Sequence, residues 1–174
     1  MRYVVYNGEK IEVDRYLTLS NREIRNINDI IDLEEIFDLI YLDLSGNKIS
    51  EIQGLDNLVN LEQLWLEGCK ITEIKHLDNL SNLKRLGLSL NRISEIKGLE
   101  CLENLQELYL NDNLITEIKG IKHLDNLTHL VIERNNISKI MNYDVFPPNL
   151  KSISLNGNPL PFKFIEDLQG KYPV

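Results

Sequence analysis

Cysteine is scarce in this sequence and shows no disulfide pattern. Only Cys69 and Cys101 occur among 174 residues, and they fall at non-equivalent positions of the repeat described below. Small secreted domains usually depend on several disulfides. We therefore expect two free thiols and a cytoplasmic protein, or a nuclear one if the organism is eukaryotic.

Long hydrophobic runs are missing as well. No stretch approaches the roughly 18–20 unbroken apolar residues that span a bilayer. The first apolar run is too short, and is followed too soon by Glu9, to act as a signal peptide. We expect neither a membrane protein nor a secreted one.

Positive charge is in deficit. The sequence has 19 lysines and arginines against 27 acidic residues, which gives a formal net charge of −8 at pH 7. This balance disfavours non-specific affinity for nucleic acid or for an anionic membrane surface. We expect a protein partner rather than either of these.

Aliphatic side chains, in contrast, are abundant and recur at a fixed interval. Hydrophobic residues make up 43% of the chain but aromatic residues only 7%. Each repeat reads L-x-x-L-x-L-x-x-N-x-I-x-x-I-x-x-L-x-x-L-x-N, which is 22 residues. Its first position is occupied by Leu39, Leu61, Leu83, Leu105 and Leu127. Such repetition indicates stacked coils, because one coil alone cannot bury its apolar side.

Two less regular units extend the series. A half-unit runs from Leu150 to Asn158, and a degenerate unit begins near Asp14 with Arg22 in place of asparagine. Together with the five regular repeats, these units predict seven short parallel strands, about 4.8 Å apart.

The spacing within a unit has a direct physical explanation. The L-x-L alternation places leucines on one face of a strand, and the later apolar residues recur every three, which suits a 3₁₀-like return path. The asparagine at position nine can satisfy backbone groups that leave the sheet. Cys69 occupies that position in one unit, so we expect weaker hydrogen bonding there.

The repeat resembles the leucine-rich-repeat superfamily. Segments 91–99 (NRISEIKGL) and 113–121 (NLITEIKGI) are similar to the 22-residue subclass typified by the nuclear regulatory subunit of protein phosphatase 1. The resemblance covers about residues 14–160. It implies an α/β repeat fold: a solenoid with a concave parallel β-sheet that binds protein, a 3₁₀-helical convex side, and a cap at each end.

Both caps can be located in the sequence. Asn7-Gly8 lies between β-prone segments and predicts a type I′ hairpin. Near the other end, Ile165, Leu168 and Tyr172 share one face of a predicted helix that should stop at Gly170.

We predict a monomer with one domain, residues 1–174. Its N-terminal cap comprises residues 1–13, its repeats residues 14–160 and its C-terminal cap residues 161–174.

The concave face is the predicted binding site. Trp65 and Tyr109 both occupy position five, two strands apart, so we expect their rings about 10 Å apart with a gap at Gly87. Tryptophan, tyrosine and arginine dominate interface energetics. The alternative is that Trp65 merely covers neighbouring side chains. The predicted partner-binding residues are Tyr41, Asp43, Gln63, Trp65, Glu67, Arg85, Leu90, Glu107, Tyr109, Asp112, His129, Val131 and Glu133.

Two charged columns run along the repeats elsewhere. Position thirteen carries Glu51, Glu73, Glu95 and Glu117, and position fifteen carries Lys75, Lys97 and Lys119. We expect them to neutralise each other at a solvated edge. A basic strip for RNA is the alternative, but the glutamates between the lysines disfavour it.

Catalytic and metal-binding patterns are missing. His76, His123 and His129 occupy different repeat positions and do not converge on a metal site. No phosphate-binding loop, nucleophile pattern or acid/base pair is recognisable, and Cys69 has the position of a structural thiol. We expect no enzyme, no cofactor and no metal.

The leading functional hypothesis is a protein–protein interaction module that regulates or scaffolds a phosphatase or another assembly. The alternative is a component of a ribonucleoprotein complex that binds RNA or an RNA-binding protein, because a related repeat protein works in the splicing machinery. Steep salt dependence of binding would distinguish the alternative.

Overall fold

The computed structural model describes residues 2–140 and 143–172. Met1, Pro173 and Val174, which the predicted caps include, lie outside these residues. The strands within them are β1 (Arg2–Tyr6), β2 (Glu9–Val13), β3 (Tyr16–Thr18), β4 (Tyr41–Asp43), β5 (Gln63–Trp65), β6 (Arg85–Gly87), β7 (Glu107–Tyr109), β8 (His129–Val131) and β9 (Ser152–Ser154). Three short 3₁₀ segments, Ile27–Asp29, Leu33–Glu35 and Tyr143–Val145, and one helix, α1 (Phe162–Lys171), complete the described elements.

Strands β3 to β9 form one parallel sheet in chain order. The pairing follows the repeat, so that Leu42 lies beside Leu64 and Leu64 beside Leu86. The degenerate first unit joins in the same register, with Leu17 beside Leu42. The predicted solenoid with a concave parallel sheet is confirmed.

The core is the column of aliphatic side chains enclosed by the coils. The middle residue of each of these strands points inward, and Leu64, Leu86 and Leu108 have no exposed surface. Leu88, at position six, is equally buried. Because equivalent residues stack on each other in successive coils, the apolar side of each repeat is covered by its neighbours.

The buried asparagines of position nine hold neighbouring coils together. Asn91 donates from Nδ2 to the carbonyl oxygens of Leu66 (2.8 Å) and Leu88 (3.1 Å), and its Oδ1 accepts from the Ile71 N–H (2.9 Å). At Cys69 the corresponding donor contact is one Sγ to the carbonyl oxygen of Leu44, at 3.6 Å. The predicted weaker ladder at this position is therefore confirmed.

A second asparagine ladder, at position twenty-two, was not predicted. Asn60, Asn82 and Asn104 each donate from Nδ2 to the carbonyl oxygen 23 residues earlier, at 2.9 Å. Unlike the first ladder, these side chains are exposed. They fix the spacing of the turns that lead into the strands.

The convex side consists of successive tight turns. The N–H of Leu58 donates to Leu55 (3.0 Å) and the N–H of Leu61 to Leu58 (2.9 Å), and this spacing of three residues is the 3₁₀ pattern. Among the described residues, only Ile27–Asp29, Leu33–Glu35 and Tyr143–Val145 form 3₁₀ helices. The 3₁₀-like path is thus mainly a series of single turns.

Both ends carry the caps that the sequence predicts. The β1–β2 hairpin turns at Asn7-Gly8, both with positive φ (50° and 78°), and Val5 pairs with Ile31 of the first coil. At the other end α1 packs against β9, with Ile165 and Leu168 buried. The predicted stop at Gly170 is wrong by one residue, because the helix continues to Lys171.

Candidate functional site

The concave face is formed by the strand residues that flank the buried leucines. Strand alternation turns positions three and five of every unit outward, and positions seven and eight extend the face where each coil leaves the sheet. Of the predicted binding residues, Arg85, Leu90 and His129 are exposed. The others are half-buried: Tyr41, Asp43, Gln63, Trp65, Glu67, Glu107, Tyr109, Asp112, Val131 and Glu133.

Trp65 and Tyr109 form the centre of this face, but not with the predicted separation. Their ring centroids are 5.6 Å apart and the ring planes make an angle of 37°. A Cβ atom on Gly87 would lie 2.2 Å from Cε3 of Trp65, so the indole ring occupies the space above this glycine. The predicted 10 Å separation with an open gap is therefore wrong, because the tryptophan side chain leans across the neighbouring strand.

The Trp65 ring belongs to the surface and not to the leucine core. It is half-buried, and it buries Gly87 beneath it. Its Nε1–H is enclosed and has no acceptor within the described residues, which is costly for a polar group. The ring therefore covers Gly87 and also presents an aromatic surface to the concave side.

A hydrogen-bonded network joins Tyr109 to Glu107 on the same strand and to Arg85 on the neighbouring strand. The Tyr109 hydroxyl donates to Oε2 of Glu107 (2.7 Å), and Arg85 Nε lies 3.1 Å from Glu107 Oε1. Burial, together with Glu107, raises the pKa of Tyr109 to about 12. Burial opposes ionisation of Glu107, but the hydrogen bonds from Tyr109 and Arg85 outweigh it and hold the pKa of Glu107 below its usual value.

A second charged cluster lies toward the C-terminal end of the face. Arg134 donates two hydrogen bonds of 2.7 Å to the carboxylate of Asp112 and one of 3.0 Å to Glu133. The hydrogen bonds from Arg134 lower the pKa of Asp112. Ser154 also donates to Glu133. The negative charges of Asp112 and Glu133 are therefore paired with the guanidinium group of Arg134.

Asp43 and Glu67 are not compensated in this way. Among residues 2–140 and 143–172, no basic side chain lies within ion-pair distance of either. Burial and the nearby Asp43 carboxylate raise the pKa of Glu67 above its usual value. The part of the face next to Trp65 is therefore acidic, and no basic group in the described part of the chain pairs with these acids.

Leu90 lies where the third regular coil leaves the sheet. Its φ is +58°, a conformation that costs a residue with a Cβ about 1 kcal/mol or more, and 58% of its surface is exposed. Equivalent positions in other coils hold Gly46 and Gly68. An aliphatic side chain in this conformation, open to solvent, borders the concave face.

Among the predicted residues, those of β8 lie beside the strand that carries Glu107 and Tyr109. His129 Nδ1 lies 2.8 Å from the hydroxyl of its neighbour Thr128, and Val131 pairs in register with Tyr109 and Ser154. Gln63 stands between Tyr41 and Arg85 in the sheet.

Sequence reasoning missed Asn111, which lines the same face at position seven. Its Oδ1 is buried with no donor in the described part of the chain. The repeat position was the available signal, since position seven also carries the predicted Glu67 and Glu133.

The charged columns outside this face behave as predicted. Lys75 Nζ lies 2.8 Å from Glu51 and 3.7 Å from Glu73. Lys97 lies 2.7 Å from Glu73 of the preceding coil and 4.0 Å from Glu95 of its own. Each lysine therefore bridges two glutamates along the stack, and the edge neutralises itself.

Within the described residues, no group of three or more His, Cys, Asp or Glu side chains could hold a metal ion. Cys69 is buried and Cys101 exposed, and neither forms a disulfide. Burial raises the pKa of the Cys69 thiol, which suits a structural role. In the same residues no helix has the length and apolar character required to cross a membrane.

Stacked coils with an open concave sheet define a class of protein: a repeat solenoid that presents an extended binding surface. The sequence pattern of leucine-rich repeats (two copies) matches residues 38–79, 81–123 and 103–147, which is more than half of the chain. The chain belongs to the leucine-rich-repeat family. Proteins of this family are generally protein-interaction modules and typically non-catalytic.

Solved structures with the same fold include internalins of Listeria monocytogenes. An internalin, InlF, has 29% sequence identity and a TM-score of 0.73 over 84% of this chain and 42% of its own. Internalin C2 has 25% identity and a TM-score of 0.61 over 82% of this chain and 80% of its own. The functional domain of InlJ, described as including a cysteine ladder, has 23% identity and a TM-score of 0.66 over 82% of this chain and 30% of its own.

This chain thus spans less than half of the length of InlF. No curated protein matches it in sequence.

Proposed function

We propose that this chain is a non-catalytic binding module that holds a partner protein on its concave sheet, with Trp65 and Tyr109 at the centre of the contact. The observation that carries the proposal is the aromatic pair itself. Two large rings lie 5.6 Å apart on the outward face of the sheet rather than in the leucine core. Tryptophan and tyrosine are the side chains most enriched among energetically important interface residues.

The surroundings of the pair support the same proposal. A central anchor is usually surrounded by polar groups that exclude water, and here Arg85, Glu107 and Glu67 border the rings. Leu90 adds an exposed aliphatic side chain. The curved sheet presents these groups in columns about 4.8 Å apart, a spacing that allows one partner to contact several coils.

More specifically, we propose that the chain acts in the cytoplasm and that its binding regulates or scaffolds a phosphatase or another assembly. It is supported by the similarity of segments 91–99 and 113–121 to one repeat subclass. Binding of RNA is disfavoured, because the acidic groups beside Trp65 would repel phosphates.

The test is affinity capture from the source organism with three immobilised proteins. These are the wild type, the Trp65→Ala/Tyr109→Ala variant, and a Phe37→Ala/Phe162→Ala control that removes two exposed aromatic rings outside the concave face (63% and 75% exposed). We expect a protein that the wild type and the control retain and the concave-face variant loses. Retention by all three would contradict the proposal.

A quantitative measurement follows once the partner is captured. Trp65→Ala should weaken its binding by about 2 kcal/mol or more, roughly 30-fold in the dissociation constant, measured by calorimetry. Thermal melting of each variant shows whether the fold is retained. An unchanged affinity in a folded variant would exclude Trp65 as the anchor.

A further inference from the structure

The acids and bases of the concave face are unevenly distributed. Its carboxylates outnumber its guanidinium groups, and the two guanidinium groups, Arg85 and Arg134, are both engaged with acids of the C-terminal half. Each carboxylate of that half therefore has a guanidinium partner. The carboxylates of the face that have no basic partner among the described residues are Asp43, on the strand before Trp65, and Glu67, in the same coil as Trp65.

These two acids belong to one site. Asp43 lies directly beside Trp65 in the pairing of β4 with β5, and Glu67 follows Trp65 by two residues on the same side of the chain. The carboxylates are near enough for Asp43 to raise the pKa of Glu67. Neither has a basic partner within the described residues, so no ion pair there relieves their mutual repulsion.

Aromatic rings accompany these acids. Tyr41 precedes Asp43 by two residues, and its ring centroid lies 6.3 Å from that of Tyr16. Trp65 and Tyr109 form the second pair. An aromatic face attracts a cation, and the attraction is largest for tryptophan. Uncompensated carboxylates next to aromatic rings therefore match a positively charged side chain in both respects.

We propose that the partner protein inserts an arginine or lysine side chain into this acidic site, between Asp43 and Glu67 and against the ring of Trp65. The inference rests on the proposed function, since it assigns the chemistry of the group that the concave face receives. The cation gains the charge pair and the aromatic contact together. A phosphate or an acidic segment would meet repulsion at the same place.

The test uses a library of random peptides displayed on phage, selected against the full chain. Peptides that also bind the Trp65→Ala/Tyr109→Ala variant are discarded, so that only ligands of the concave face remain. We expect these peptides to be enriched in arginine or lysine. Binding of their synthetic forms should weaken at least about tenfold in an Asp43→Asn/Glu67→Gln variant.

A matched control separates local from overall charge. Glu100→Gln/Asp125→Asn removes the same two negative charges from exposed positions outside the sheet, and it should leave the affinity within about twofold, because exposed charges beyond a Debye length are screened. Melting of both variants confirms that they are folded.

The outcomes are distinguishable. If concave-face peptides show no basic enrichment, or bind the Asp43→Asn/Glu67→Gln variant with wild-type affinity, the inference is wrong while the binding surface stands. Equal loss in the control variant also overturns it. If no selected peptide depends on Trp65 and Tyr109, the proposed function fails, and the inference fails with it.

Discussion

Substitution of Gly87 by alanine should displace the aromatic centre without disturbing the fold. A Cβ atom on Gly87 would lie 2.2 Å from Cε3 and 2.8 Å from Cζ3 of Trp65. The backbone of Gly87 is an ordinary strand with no positive φ, so alanine is sterically allowed there. The new methyl group therefore competes with the indole ring for one space.

The size of the effect can be worked out from these distances. Non-bonded carbon atoms normally approach to about 3.5–4.0 Å, so the ring must move by more than about 1 Å, away from its position against Tyr109. Loss of the ring pair costs about 0.5–1.5 kcal/mol. Replacing a strand glycine with alanine returns about 0.5–1 kcal/mol, so the net change in unfolding free energy should be within about 1 kcal/mol of zero.

Fluorescence measures the displacement directly, because Trp65 is the only tryptophan in the chain. We expect Gly87→Ala to shift the emission to longer wavelength and to increase quenching by acrylamide, with nearly unchanged melting. Thr18→Ala, in the same column but at the far end of the sheet, should leave both signals at their wild-type values. Wild-type emission and quenching in Gly87→Ala would refute the placement of the ring over this glycine.

The remaining predictions concern the core and the ladders, measured by urea unfolding. Leu88→Ala should lower the unfolding free energy by roughly 2–5 kcal/mol, since a fully buried side chain leaves a hole that its stacked neighbours cannot fill; unchanged stability would mean that the strand register is wrong. Asn91→Ala should cost at least about 2 kcal/mol, because it leaves buried backbone groups unpaired. Asn82→Ala, at an exposed position of the second ladder, should lower the unfolding free energy by less than about 1 kcal/mol. Equal losses for Asn82→Ala and Asn91→Ala would mean that burial does not make the first ladder the stronger one. Cys69→Asn should raise stability by about 1 kcal/mol by restoring the ladder, and a decrease would show that this coil has no room for the amide.

The strands and the core could be predicted because they are determined by the repeat. Each coil places Leu64, Leu86 and Leu108 in the same environment, so one physical argument about burial applies to every unit. The same reasoning identified the weak contact at Cys69, since a thiol cannot replace the several hydrogen bonds that an asparagine amide donates and accepts. Fold class and register thus follow from the period alone.

The arrangement of Trp65 and Tyr109 could not be predicted in the same way. Strand spacing determines where the backbone of position five lies, but the direction of a large side chain depends on its neighbours. The absence of a side chain at Gly87 creates a space, and the sequence alone does not say which ring enters it. The partner-binding role of the predicted residues remains a prediction.

One signal in the sequence was overlooked. Position eight carries Gly46, Gly68 and Gly157, all with positive φ, and this column of glycines indicates a left-handed bend at the end of each strand. By the same register, Leu90 must adopt the bend as well. Its strained conformation could therefore have been anticipated from the glycines of the neighbouring coils.

The central claim is that a partner protein contacts Trp65 on the concave sheet. Labelling the chain with 5-fluorotryptophan gives a single fluorine resonance, since only one tryptophan is present, and an unlabelled partner contributes none. Titration with the captured partner should shift or broaden this resonance in proportion to the bound fraction. A resonance that keeps its position and width at saturating partner would contradict the account.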